Sequence, residues 1–186
     1  MIDEQILLCA FAYAEYESDN NTSLLCREQK QEYMNFCTEY IKTQQNYPEQ
    51  AIEPMLQRMK LLNISDPRDY VYSGHFRTII NSIEKKTRKG FYKSVKNPLV
   101  MRIAMNCPAN LYNVISVRKN QIIGQNMITK RKNELTTLDG LEIPKPNQII
   151  SGHWNYSLEI IKEGILLRKY LPRLSAYLMN IKENLI

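Results

Sequence analysis

Only two histidines occur in the chain, and both stand in the same local frame, Ser73-Gly74-His75-Phe76 and Ser151-Gly152-His153-Trp154. A neutral imidazole can take a proton from a hydroxyl while a protonated one supplies a proton to a leaving oxygen, so the pair could serve as general base and general acid on a phosphodiester. A plainer reading makes each Ser-Gly a helix start, with the histidine in the first turn and the aromatic ring in the core. The four cysteines, Cys9, Cys26, Cys37 and Cys107, contain no Cys-x-x-Cys, so they read as reduced thiols and not as a zinc ribbon or a dithiol redox site. No nucleotide-binding loop, metal-ligand cluster or nucleophile triad stands out, and neither a metal nor a cofactor is expected.

Arg68 and His75 form an Arg-x6-His pattern, and positions seven apart return to nearly one face of a helix. This spacing resembles the HEPN family of metal-independent ribonucleases, whose helical domains carry an Arg-x(4–6)-His motif. The resemblance implies that His75 would assist attack by the RNA 2′-hydroxyl and Arg68 would hold the phosphate, with two copies joined across a dimer.

Charge is distributed unevenly. Residues 84–132 hold twelve basic side chains (Lys85, Lys86, Arg88, Lys89, Lys93, Lys96, Arg102, Arg118, Lys119, Lys130, Arg131, Lys132) against the single acid Glu84. The residues before them carry seven bases and twelve acids, and those after them six of each, so the net +6 conceals an acidic start, a basic middle and a neutral end. Such a split suits an anionic partner, either nucleic acid or an acidic protein surface. Phe91 and Tyr92 lie between Lys89 and Lys93, where rings could stack on bases while lysines hold phosphates. Tyr13, Tyr16, Tyr33 and Tyr40 mark the acidic first part, and tyrosine is common on surfaces that bind other proteins. Two chemically distinct faces suit a subunit of a larger complex.

Helical periodicity dominates the elements that must position these residues. Ile6, Leu7, Ala10, Phe11 and Ala14 share one helical face, Leu25, Tyr33, Phe36, Cys37, Tyr40 and Ile41 another over residues 24–43, and Met55, Leu56, Met59 and Leu62 a third over 48–62. Ser65-Asp66-Pro67 interrupts, because the residue before proline leaves the helical region while proline suits a helix start. A helix through Phe76, Ile79, Ile80 and Ile83 then leads into the basic run. The apolar runs 99–105 and 111–117 read as a hairpin or as two short helices. Asp139-Gly140 reads as a hairpin turn with an outgoing strand over 141–143. Trp154, Leu158, Ile161, Ile165 and Leu166 recur at helical spacing, and Pro172 reads as the start of a last helix.

The order helix, helix, basic helix, hairpin resembles a winged helix-turn-helix, which implies a positioning helix over 110–117, a recognition helix over 121–135 and a wing over 136–146. Gly124 stands against that helix, since a mid-helix glycine costs about 1 kcal/mol relative to alanine. The expected fold is therefore mainly α, with a small winged-helix-like hairpin between residues 99 and 146. Residues 1–64 form an acidic, tyrosine-bearing helical part that packs with residues 65–186 as one domain. The expected function is non-catalytic: an accessory or adaptor subunit in the cytoplasm, with no membrane association. Its basic surface (Lys85, Lys86, Arg88, Lys89, Phe91, Tyr92, Lys93, Arg118, Lys119, Lys130, Arg131, Lys132) would bind nucleic acid. The alternatives are an acidic protein partner, or catalysis by Arg68 and His75, with His153 as the other candidate.

Overall fold

The structure, a computed structural model, describes residues 2–18, 27–74, 109–162 and 164–183. Its first helix, α1 (Glu4–Ser18), begins where Asp3 Oδ1 accepts the amides of Gln5 at 2.8 Å and Ile6 at 3.4 Å, a side-chain cap for otherwise unpaired donors. Between positions 6 and 14 only Tyr13 escapes full burial. A helix apolar all round needs cover all round. On α1 that cover comes from α2 (Arg27–Thr43) and α3 (Glu49–Leu61), and from β-strands and a short helix further along the chain.

Both covering helices are amphipathic. The former buries Cys37, Tyr40 and Ile41, the latter Ala51, Ile52, Met55 and Met59. Asn63, at φ 53°, ends α3 in the left-handed region, and the amides of Ile64 and Asn63 reach back to the carbonyls of Met59 and Lys60 at 2.9 and 3.1 Å. These two bonds satisfy carbonyls that a helix end would otherwise leave open. Asp66 then caps a short helix, α4 (Pro67–Asp69), by accepting the Arg68 amide at 2.8 Å, and α4 passes into a π-helical turn, Tyr70–Gly74.

The strands are β1 (Asn110–Arg118), β2 (Gln121–Asn126), β3 (Lys132–Thr137), β4 (Ile149–His153) and β5 (Tyr156–Ile160). They close a barrel in the order β1-β2-β3-β5-β4, antiparallel throughout except for the parallel pair β3–β5. This is a five-stranded Greek-key barrel of the kind typified by the OB-fold, a likeness of architecture that carries no function by itself. Its interior is filled by Tyr112, Val114, Ile122, Leu135, Ile150 and Ile160.

Two glycines make room for the largest of these. A Cβ on Gly124 would lie 3.0 Å from Tyr112 Cβ, and one on Gly152 would lie 2.8 Å from Leu135 Cδ2 and 3.1 Å from the Tyr156 carbonyl. Two bulges set which side chains face out. The β1–β2 register skips Ile115, which is left exposed, and the β4–β5 register skips Leu158, so that Leu158 and Glu159 both turn toward the helices. The outer faces of β4 and β5 therefore pack on α1, whereas the outer face formed by the second half of β1 with β2 and β3 meets solvent.

A last helix, α5 (Gly164–Glu183), buries Leu166, Tyr170 and Leu174. Tyr170 stacks on Tyr72 at 4.9 Å and donates to Asp69 at 2.6 Å, fastening α5 to α4 and its π-turn.

This architecture overturns the mainly-α expectation: the chain is mixed α/β with a closed barrel. Residues 110–117, expected as a positioning helix, lie in β1. Residues 121–135, expected as a recognition helix, are β2, a turn and most of β3, so the winged-helix reading fails with them. Gly124 is a strand residue that faces the barrel interior. The expected wing is the end of β3 followed by a loop, in which Asp139-Gly140 does turn but leads to no strand. There Gly140, at φ 94°, lets the loop sit against α2, where an added Cβ would be 2.9 Å from the Ile41 carbonyl. The helical spacing that starts at Trp154 spans β5 and the start of α5, and Pro172 lies within α5 and does not start it.

Candidate nucleic-acid interface

The solvent-facing barrel surface has three rows, each crossing β1, β2 and β3. The register aligns Asn113, Gln125 and Lys132; then Ser116, Ile123 and Glu134; then Arg118, Gln121 and Thr136. Amides and hydroxyls predominate, and none of these positions is aromatic. At one end stands the two-residue β1–β2 turn, where Lys119 takes φ 56°, the sign such hairpin turns demand. Arg118 and Lys119 are both exposed there. The β2–β3 turn lies at the other end with Lys130, Arg131 and Lys132, all exposed. Along β2, five steps of about 3.3 Å set the two basic ends roughly 17 Å apart.

The second basic turn is held firmly. Asn126 Oδ1 accepts the amides of Ile128 and Thr129, each at 2.9 Å, while its Nδ2 donates to Asn110 Oδ1 at 3.1 Å. The Asn126 amide donates to the Arg131 carbonyl at 2.9 Å, and Lys130 donates its amide to the Asn126 carbonyl at 3.0 Å. Lys130 Nζ also reaches the Met127 carbonyl at 2.7 Å. A short polar side chain that bonds its own turn in this way preorganises the backbone. The three cations are thus presented from a fixed loop.

Arg68 and His153, two of the residues considered for catalysis, lie elsewhere. Arg68 is 7% exposed, with Nη1 at 2.5 Å from Glu159 Oε1 and Nη2 donating to the Ile2 carbonyl. Tyr72 donates to the same Glu159 oxygen at 2.7 Å and lies 2.7 Å from Ser151 Oγ. Burial first, and then the Glu159 carboxylate, push the Tyr72 phenol well above its ordinary value, which keeps it a donor. Arg68 therefore fastens the start of the chain to β5 through a buried ion pair. His153 is fully buried, stacked on Phe11 with ring centroids 4.0 Å apart and with Nε2 3.5 Å from Glu15 Oε2. Cys9 and Cys37 are buried and carry free thiols.

His75, Lys85, Lys86, Arg88, Lys89, Phe91, Tyr92, Lys93, Cys26 and Cys107 lie outside the described residues. Of the sequence-derived basic set, the structure brings Arg118 and Lys119 together at one barrel end and Lys130, Arg131 and Lys132 at the other. Sequence reasoning missed the Arg68–Glu159–Tyr72–Ser151 cluster. Its one advance sign was Glu159, an acid set between Leu158 and the pair Ile160 and Ile161. Among the described residues, no helix is long and apolar enough to cross a membrane, and no group of three or more His, Cys, Asp or Glu side chains is placed to hold a metal ion.

No family model matches the chain, and neither does any curated protein.

Proposed function

We propose that this protein is a non-catalytic, nucleic-acid-binding accessory subunit of a larger cytoplasmic assembly. In this reading the open β1–β2–β3 face of the barrel is its contact surface. The observation that carries the reading is the pair of exposed basic ends, Arg118 with Lys119 and Lys130 with Arg131 and Lys132, flanking a polar strand surface that no other element among the described residues covers. Lysines and arginines set on preorganised turns are suited to phosphate oxygens, and amide and hydroxyl side chains between them to sugar and base edges. Five-stranded barrels of this topology use the same strand face for oligonucleotides in other proteins, which supports the reading by analogy of fold alone. The run of like charge at residues 85–102 adds to the field that would draw a polyanion.

Titrating the full chain against labelled duplexes and single strands over a series of salt concentrations tests the proposal. With about five phosphates neutralised, log K should fall against log salt with a slope near −4 to −5. Replacing Lys130, Arg131 and Lys132 together by alanine should weaken binding to all sequences alike and make the slope shallower by roughly two to three. Absence of binding to any nucleic acid at low salt would end this reading and leave an acidic protein partner to account for the charges.

A further inference from the structure

The pattern of charge along the barrel face is positive, then acidic, then positive. Arg118 and Lys119 mark one end, Lys130, Arg131 and Lys132 the other, and Glu134 stands in the middle row opposite Ile123. A single strand laid along this face from one basic end to the other would carry its phosphates past the Glu134 carboxylate. Among the described residues of the three rows it would also find no ring to stack on, although base stacking on aromatic side chains is a main source of single-strand affinity.

Two rows of phosphate with a gap between them meet neither objection. The basic ends stand roughly 17 Å apart along β2, and the major groove of B-form DNA is about 12 Å wide between its walls, so the phosphates on those walls lie further apart than that. We propose that the face straddles the major groove of double-stranded DNA, each basic end on one phosphate wall and the middle row over the groove floor. There Glu134 would face base edges, which include the cytosine amino donor, and the Ser116 hydroxyl, in the same row, would face groups to which it can either donate or accept. This inference rests on the nucleic-acid reading above and sharpens it to a duplex in a defined orientation.

The test compares the full chain, at one salt concentration, on a mixed-sequence DNA duplex, either of its single strands and an RNA duplex of equal length. Binding to the DNA duplex should be about tenfold or more tighter than to either other probe, because A-form RNA closes its major groove to side chains. Alanine at Arg118 and Lys119, and separately at Lys130, Arg131 and Lys132, should each lower duplex affinity, and Glu134→Gln should change it less than about twofold, since no phosphate lies against that carboxylate. All of these positions are exposed, so an unchanged thermal midpoint should accompany each loss. Single strands or RNA duplex bound as tightly as the DNA duplex would overturn the straddling geometry and leave the nucleic-acid reading standing, as would a gain of about fivefold from Glu134→Gln. If no probe binds, the reading and the inference fall together.

Discussion

The buried ion pair of Arg68 with Glu159 has its second carboxylate oxygen, Oε2, without a hydrogen-bond partner among the described residues, while Oε1 takes both Arg68 and Tyr72. Breaking such a pair from one side leaves a buried charge uncompensated, so Arg68→Ala is expected to cost about 3–5 kcal/mol. Tyr72→Phe, which removes one neutral donor to a charged acceptor, is expected to cost about 1.5–3 kcal/mol. Urea denaturation followed by circular dichroism measures both, and a shift for Arg68→Ala no larger than that for Tyr72→Phe would contradict this account. Asp69 titrates in the opposite setting. Burial pushes its carboxyl up, but hydrogen bonds from Lys169 and Tyr170, with the nearby positive charges, outweigh that and leave it below its ordinary 3.8. Its contribution is therefore present above pH 3.8 and lost as pH falls through the lower folded value. Asp69 is partly exposed, so the effect is small, and Asp69→Asn should flatten the acid limb of a stability profile only slightly.

At the scale of the element, the three N-terminal helices were legible because their apolar positions repeat with the helical period over runs of 13 to 17 residues. The barrel was not. Its strands are five to nine residues long, and their inward positions include Gly124, Asn126 and Gly152, which carry no hydrophobic signal. The skipped residues Ile115 and Leu158 also reverse the alternation partway along β1 and β5, so a period of two never runs long enough to be seen. The charges of the candidate interface were legible, but their division between two barrel ends was not, because it depends on the hairpin register. Gly152→Ala tests the packing, since the added methyl meets a backbone carbonyl as well as Leu135. A loss of about 1–3 kcal/mol is expected, larger than for Gly124→Ala, and measurable by thermal denaturation. Asn126→Ala should cost about 1–3 kcal/mol and raise amide exchange at Ile128 and Thr129, whose protection comes from its side chain.

For the molecule as a whole, tyrosine governs behaviour in alkali. Burial, followed by contact with Asp69, raises the Tyr170 phenol to about 12, burial alone raises Tyr112 to about 12, and burial also raises Tyr16, Tyr47 and Tyr156. An unfolded chain ionises these groups near pH 10 while the folded chain resists, so stability is complete below that pH and declines as pH rises through the folded values. A fully buried group adds a slope of at most about 1.4 kcal/mol per pH unit in that window, and the partly exposed Tyr47 and Tyr156 add less. The share of tyrosinate absorbance that these five groups supply should accordingly rise together with the loss of circular dichroism, and full ionisation of all twelve tyrosines before unfolding would count against it.

Helix α1, apolar on every side, has a consequence for how the protein is made. Its residues are complete by position 18, yet part of its cover is β4 and β5, which end at residue 160. At about 5–20 residues per second, a ribosome needs roughly 7–30 s to lay down the intervening chain. During that interval the flank of α1 that β4 and β5 cover is without those two strands. Production of the protein should depend on whatever shields nascent apolar helices, more than its modest length would imply.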